Sequence, residues 1–166
     1  MLIQDGIPTA EDISQVMPSV NRLFSGPVAI AECFQKIPCN PCVKACPKKA
    51  IHVEPDINET PKIDFDSCVG CGICISHCPG LAIFVVDMTY GEDTALLQLP
   101  YEFLPLPEAG QFVLCLDRSG QEVGTYPVVK VTMGGKKNKT YVVSLAVPKK
   151  LAMEIRNIRP GGDQNE

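Results

Sequence analysis

The 166-residue chain is long enough for one ordinary domain or two small ones. Fifteen Lys and Arg against 19 Asp and Glu leave a formal net charge of −4, which gives no general reason to expect nucleic acid as a partner. Nine cysteines in so short a chain call for a chemical explanation.

The opening stretch MLIQDGIPTAEDISQ carries acidic residues where a secretion signal would have a basic region followed by a long apolar run. No later apolar run approaches the length of a membrane span. A cytoplasmic location without membrane insertion is therefore expected. Closely spaced cysteines in that compartment stay reduced, and more often bind metal than form disulfides. Residues 1–32 read as an N-terminal arm. Within it TAEDISQVM is expected to be a short helix with Thr9 as N-cap and Asp12 at the third position, ended by Pro18. RLFSGPVAI then runs apolar into Cys33.

Two cysteine runs follow. CFQKIPCNPCVKACP holds Cys33, Cys39, Cys42 and Cys46, and CVGCGICISHCP holds Cys68, Cys71, Cys74 and Cys78. The second reads C-x2-C-x2-C-x3-C-P. Shifting it by 32 residues carries Cys71, Cys74, Cys78, Pro79, Ala82 and Ile83 onto Cys39, Cys42, Cys46, Pro47, Ala50 and Ile51, so the pair is an internal duplication. Three thiolates at this spacing wrap the backbone round one corner of an iron-sulfur cube and leave one iron for a ligand from elsewhere. Zinc also accepts four thiolates, but zinc ribbons present two separated C-x2-C pairs, so iron-sulfur is the expected centre.

Over residues 33–88 the cysteines and prolines resemble those of the two-cluster, bacterial-type 4Fe-4S ferredoxin family. The resemblance implies two 4Fe-4S clusters and crossed ligation, in which the cysteine before each proline serves the other cluster. Cys33, Cys39, Cys42 and Cys78 would hold the first cluster, and Cys68, Cys71, Cys74 and Cys46 the second. One position departs from the pattern. Lys36 stands where the duplication would place a ligand, and Cys33 lies three residues upstream, so the first copy reads C-x5-C-x2-C-x3-C-P. Cys33 is expected to be the displaced ligand. The alternative makes it a buried small apolar residue beside a 3Fe-4S centre on three cysteines, or beside a cluster with an exogenous ligand.

Saturated ligation leaves no open iron, so one-electron transfer is expected and no catalytic residue of the chain's own. Gly70, Gly72 and Gly80 are expected to let amides approach the second copy's sulfurs, whereas Pro38, Pro41 and Pro47 donate no amide hydrogen bond in the first. This predicts unequal clusters. His77, between Cys74 and Cys78, reads as an exposed loop histidine, with tuning of a cluster as the sharper alternative. His52 follows Ile51 in an expected strand and is assigned no function. Lys44, Lys48 and Lys49 make a local basic cluster in the first copy.

LAIFVVDM reads as a strand, TYGED as a turn and TALLQLPYEF as the returning strand. Further strands are expected at QFVLCLD, EVGTYPVVKVTM and KTYVVSLAVP, separated by RSGQ and GGKKNK, with Lys136, Lys137 and Lys139 at a hairpin tip. Cys115 reads as a core residue. Leu151, Ile155 and Ile158, spaced four and three apart, predict an amphipathic closing helix over KKLAMEIRNIR. The expected fold is α+β: a ferredoxin-like unit (33–88), then a small antiparallel sheet or open barrel with a C-terminal helix (89–160) and a tail (161–166). The C-terminal unit has no phosphate loop, no nucleophile elbow and no histidine.

The expected function is an electron-transfer subunit of a multi-subunit oxidoreductase, whose larger subunits include one carrying FAD or FMN. The alternative is a free soluble ferredoxin. A third class is an interaction module in which the clusters serve structure or redox sensing.

Overall fold

The computed structural model describes residues 2–135 and 138–161. The sequence-predicted hairpin tip falls partly on Lys136 and Lys137, and the tail on 162–166, which lie outside the described residues. The arm contains three short helices, α1 (Leu2–Asp5), α2 (Ala10–Ser14) and α3 (Val20–Leu23). α2 starts as predicted. The Thr9 hydroxyl accepts from the Asp12 amide at 3.2 Å, while the Asp12 carboxylate accepts from the Thr9 amide at 2.8 Å, a reciprocal capping box.

The cysteine unit follows as β1 (Val28–Ala31), α4 (Pro41–Ala45), β2 (Ile51–His52), β3 (Lys62–Ile63), α5 (Ile73–His77) and β4 (Ile83–Asp87). β2 and β3 form a small antiparallel pair. The rest of the chain supplies β5 (Thr94–Tyr101), β6 (Phe112–Leu116), β7 (Glu122–Met133), β8 (Tyr141–Pro148) and β9 (Asn157–Ile158). With β1 and β4 these build a seven-stranded antiparallel sheet in the order β1-β4-β5-β8-β7-β6-β9. β4 passes through the TYGED turn directly into β5, as its pattern of residues predicts.

β1 and β4 are buried on both faces, which places the cysteine unit against the sheet. Val28, Ile30, Phe84 and Val86 point into a core shared with Leu97, Leu99, Val113, Val143 and Leu145. Their alternate neighbours Ala29, Ala31, Ile83 and Val85 pack with Cys42, Cys74 and Ile75. A strand has a period of two, so each of these strands serves two cores at once. Leu97 is wholly buried at the centre of β5. Leu97→Ala should cost about 2–5 kcal/mol through lost burial and the cavity left behind, read as a lowered denaturant midpoint with unchanged slope.

The predicted closing helix does not form. Lys149–Leu151 make one 3-10 turn, and after a further turn the chain extends as β9 against β6. The Arg156 side chain donates to the Ala152 and Ile155 carbonyls at 3.1 and 2.6 Å, while its amide donates to the Leu116 carbonyl at 2.9 Å. Ile155 and Ile158 are buried in the sheet's core as the spacing suggested, but the backbone that carries them completes the sheet.

Candidate metal centre

The duplication is geometric as well as textual. α4 and α5 stand 32 residues apart, and each ends in a Cys-Pro step. After that step Lys49 and Leu81 both adopt a positive φ, of 53° and 52°, rare for residues with a Cβ. The amides of Lys49 and Leu81 donate to the carbonyls of Cys46 and Cys78, both at 3.1 Å. The next amides, of Ala50 and Ala82, reach the sulfurs of the same cysteines at 3.3 and 3.4 Å. The tight left-handed turn therefore aims one backbone donor at each of these two thiols.

Cys33, Cys39, Cys42 and Cys78 line one pocket, and Cys46, Cys68, Cys71 and Cys74 line another. These are the two sets expected from the resemblance, and each contains the Cys-Pro cysteine of the other copy. Cys33, two residues beyond the end of β1, faces Cys39 and Cys78. Burial, then the proximity of Cys78 and Cys39, pushes its thiol above the ordinary range. Cys42 is pushed up to about 11, first by burial and then by Cys78. Cys74 is pushed up to about 12 by burial, with Cys68, Cys71 and Cys46 adding to it. Lys36, at the register position of the missing ligand, is turned to the surface, its ammonium 2.9 Å from Glu59.

The donor set fits an iron-sulfur cluster in each pocket. Burial and neighbouring sulfurs hold the Cys33, Cys42 and Cys74 thiols against ionising, and a positively charged iron core is what would hold them as thiolates. Among the described residues no three His, Cys, Asp or Glu side chains converge closely enough to hold a single metal ion. Thiols at zinc sites converge to about 2.3 Å from the ion, whereas a multi-iron cluster spaces its ligands around a larger body.

Gly70 serves the approach of a backbone amide through the room it leaves for the neighbouring segment. Alanine amides reach the sulfurs, at Ala50, Ala82 and also Ala29, which lies 3.5 Å from the Cys68 sulfur. Gly70, at φ +62°, makes room for Pro27: a Cβ there would lie 2.4 Å from the Pro27 carbonyl carbon. Sequence reasoning found no role for Pro27, because a contact between segments 43 residues apart leaves no local pattern.

His77 is exposed, with Nδ1 2.8 Å from the Ile73 carbonyl, the ordinary disposition of a helix-end histidine. His52 is likewise exposed on β2. Cys115 is buried in the sheet core, away from both pockets, and burial pushes its thiol up to about 12. Of the eight cysteines in the two sets Cys71 is the exposed one, bordering a groove of about 420 Å³ walled by α5 and strands β5, β7 and β8. No helix among the described residues is long and apolar enough to cross a membrane.

Two pockets, each walled by four thiols and built from crossed copies of one turn, define a two-cluster iron-sulfur electron-transfer domain. Residues 37–82 match the 4Fe-4S dicluster domain family, which supports a ferredoxin-type domain in this part of the chain, with two 4Fe-4S clusters as its cofactors. The match starts beyond Cys33 and does not speak to its role. The chain is 36% identical over 61 residues to the ferredoxin-type protein NapF of Haemophilus influenzae, covering 36% of this chain and 35% of that protein. It is 42% identical over 53 residues to one of the chains of the polysulfide reductase of Wolinella succinogenes, covering 32% and 27%. It is 45% identical over 47 residues to pyruvate synthase subunit PorD of Methanocaldococcus jannaschii, covering 28% and 52%. The chain thus spans between about a quarter and about half of the length of these curated relatives. No solved structure matches it.

Proposed function

We propose that this chain is an electron-relay subunit of a multi-subunit oxidoreductase, with Cys33, Cys39, Cys42 and Cys78 holding one 4Fe-4S cluster and Cys46, Cys68, Cys71 and Cys74 the other. The observation that carries the ligand assignment is the sorting of these eight thiols into two four-cysteine pockets. When bound, the clusters supply one-electron transfer, at potentials that for such centres span roughly −700 to +450 mV.

The chain's own residues do the rest. Each set of four thiols saturates its site and leaves no iron open to a substrate, so the chain has no catalytic site of its own. The amides of Ala29, Ala50 and Ala82 point their N–H dipoles at the sulfurs of Cys68, Cys46 and Cys78. Ile75, Ile83 and Val85 are buried beside the cysteines and keep water from that side, while exposed Cys71 marks where a partner's redox centre approaches the second site. The subunit reading draws support from relatives named as a chain of polysulfide reductase and as a subunit of pyruvate synthase. We assign the partner role to larger oxidoreductase subunits, one of them a flavoprotein, in the cytoplasm.

Anaerobic purification of the native protein from its source, with identification of co-purifying chains and cofactors, tests this. A stable complex containing flavin and two reducible 4Fe-4S signals is expected. A solitary chain with the same signals would replace the subunit reading with that of a diffusible carrier, and clusters that cannot be reduced reversibly would replace both with a structural or sensing role.

A further inference from the structure

We propose that the segments flanking the duplicated cysteines are separate braces, one for each thiol set. Arg22 of the arm positions Cys68, and Glu32, held by Arg118 and Arg156 of the C-terminal sheet, positions Cys33 and Cys78. The inference rests on the ligand assignment proposed above and adds a role for the residues outside the ferredoxin unit.

Arg22 lies on α3 and spends its whole guanidinium on backbone carbonyls. Nε donates to Phe65 at 2.7 Å, Nη1 to Gly26 at 3.1 Å, and Nη2 to Pro27 at 2.9 Å and Cys68 at 2.7 Å. One planar fork thereby ties the arm's turn to the loop that delivers Cys68. Two residues past Pro27, the Ala29 amide points at the Cys68 sulfur. Pro27 also occupies the space left by Gly70, so the arm touches the second cysteine run from two sides. All these contacts converge on the second site.

Glu32 makes the corresponding connection at the first site. Its peptide carries Cys33 directly, and its amide donates to the Ala82 carbonyl at 2.8 Å, while the Ala82 amide donates to the Cys78 sulfur. Two of the four thiols therefore follow the position of one residue. That residue is held from far along the chain. Oε2 accepts from Arg118 Nε at 2.9 Å, and Oε1 accepts from Arg118 Nη2 at 2.6 Å and Arg156 Nε at 2.8 Å. Arg118 is anchored in turn on the Met153 carbonyl, and Arg156 on those of Ala152 and Ile155, with its guanidinium 4.8 Å over the Phe84 ring. The C-x5-C loop is three residues longer than its counterpart, and this network fixes its upstream end.

The test uses the full chain with both clusters assembled anaerobically. Cys33→Ser and Cys68→Ser first identify which paramagnetic resonance signal belongs to which site. Arg22→Ala should then shift the potential and speed chelator-driven iron loss several-fold for the Cys68 signal alone. Glu32→Ala and Arg118→Ala should do the same for the Cys33 signal alone. Arg22→Lys and Arg118→Lys, which keep the charge and lose the fork, give the same readout where alanine prevents folding. Equal effects on both signals would reduce the contacts to general stabilisation and overturn the braces, as would no effect on either. If Cys33→Ser removes no signal, the ligand assignment itself fails. If it removes one while the Glu32 and Arg118 variants change nothing, only the first brace fails.

Discussion

Cys33→Ser is expected to lower the iron content from about eight per chain, the number for two 4Fe-4S sites, to about four, with one reducible signal lost and the other intact. Cys115→Ser should leave both unchanged. The two cysteines have similar apolar flanks in the sequence, GPVAIAEC and QFVLCLD, and the fold separates them. Cys33 shares a pocket with Cys39, Cys42 and Cys78, whereas Cys115 sits among β-sheet core residues, its sulfur 3.7 Å from the Val113 carbonyl. Lys36, at the register position of the missing ligand, carries a positive charge and is engaged with Glu59 at the surface. Iron analysis with paramagnetic resonance of the reduced and oxidised protein checks the result. About seven irons with a 3Fe-4S signal would mean that the first site persists on three thiols, and an unchanged count would remove Cys33 as a ligand.

The parts of this fold that could be read from the sequence are those specified locally. The fixed offset of 32 residues between the cysteine runs reappears as matching helices, matching left-handed residues at Lys49 and Leu81, and matching amide-to-sulfur contacts from Ala50 and Ala82. The strands β5 to β8 follow from alternation and turn residues. The parts that escaped depend on partners far along the chain. Glu32 meets Arg118 and Arg156 across 86 and 124 residues, and nothing near Glu32 announces them. The same network explains the missing helix. Leu151, Ile155 and Ile158 have helical spacing, but Arg156 must reach buried Glu32, and the open edge of β6 offers Cys115 and Leu116 as strand partners. Burial of the carboxylate alone would raise its pKa, yet the two arginines hold it below the usual range, so the pair remains charged inside the fold. Losing that pair to preserve a surface-type helix would strand a buried charge, at a cost of several kcal/mol.

Gly70→Ala should be among the most damaging single changes at a site that binds no iron, and Gly80→Ala among the mildest. Both glycines lie in the second cysteine run, and sequence alone treats them alike. Gly70 is buried with φ +62°, where an alanine costs about 1–2 kcal/mol from the left-handed backbone alone. Its Cβ would also stand 2.4 Å from the Pro27 carbonyl carbon and 2.6 Å from the carbonyl oxygen. Those atoms are backbone held by Arg22, so relief requires the arm to move or the Cys68–Cys71 loop to withdraw. Either movement disturbs the approach of Ala29 to the Cys68 sulfur. Among the described residues nothing lies within 4 Å of where a Cβ on Gly80 would stand, and its φ is not left-handed. The expected outcome is a large fall in thermal midpoint and loss of the second site's iron for Gly70→Ala, against near-unchanged behaviour for Gly80→Ala. A Gly70→Ala protein with full iron content and an unaltered midpoint would show that the arm yields at Pro27 without cost, and that its contact with the cysteine run is not what holds the second site in place.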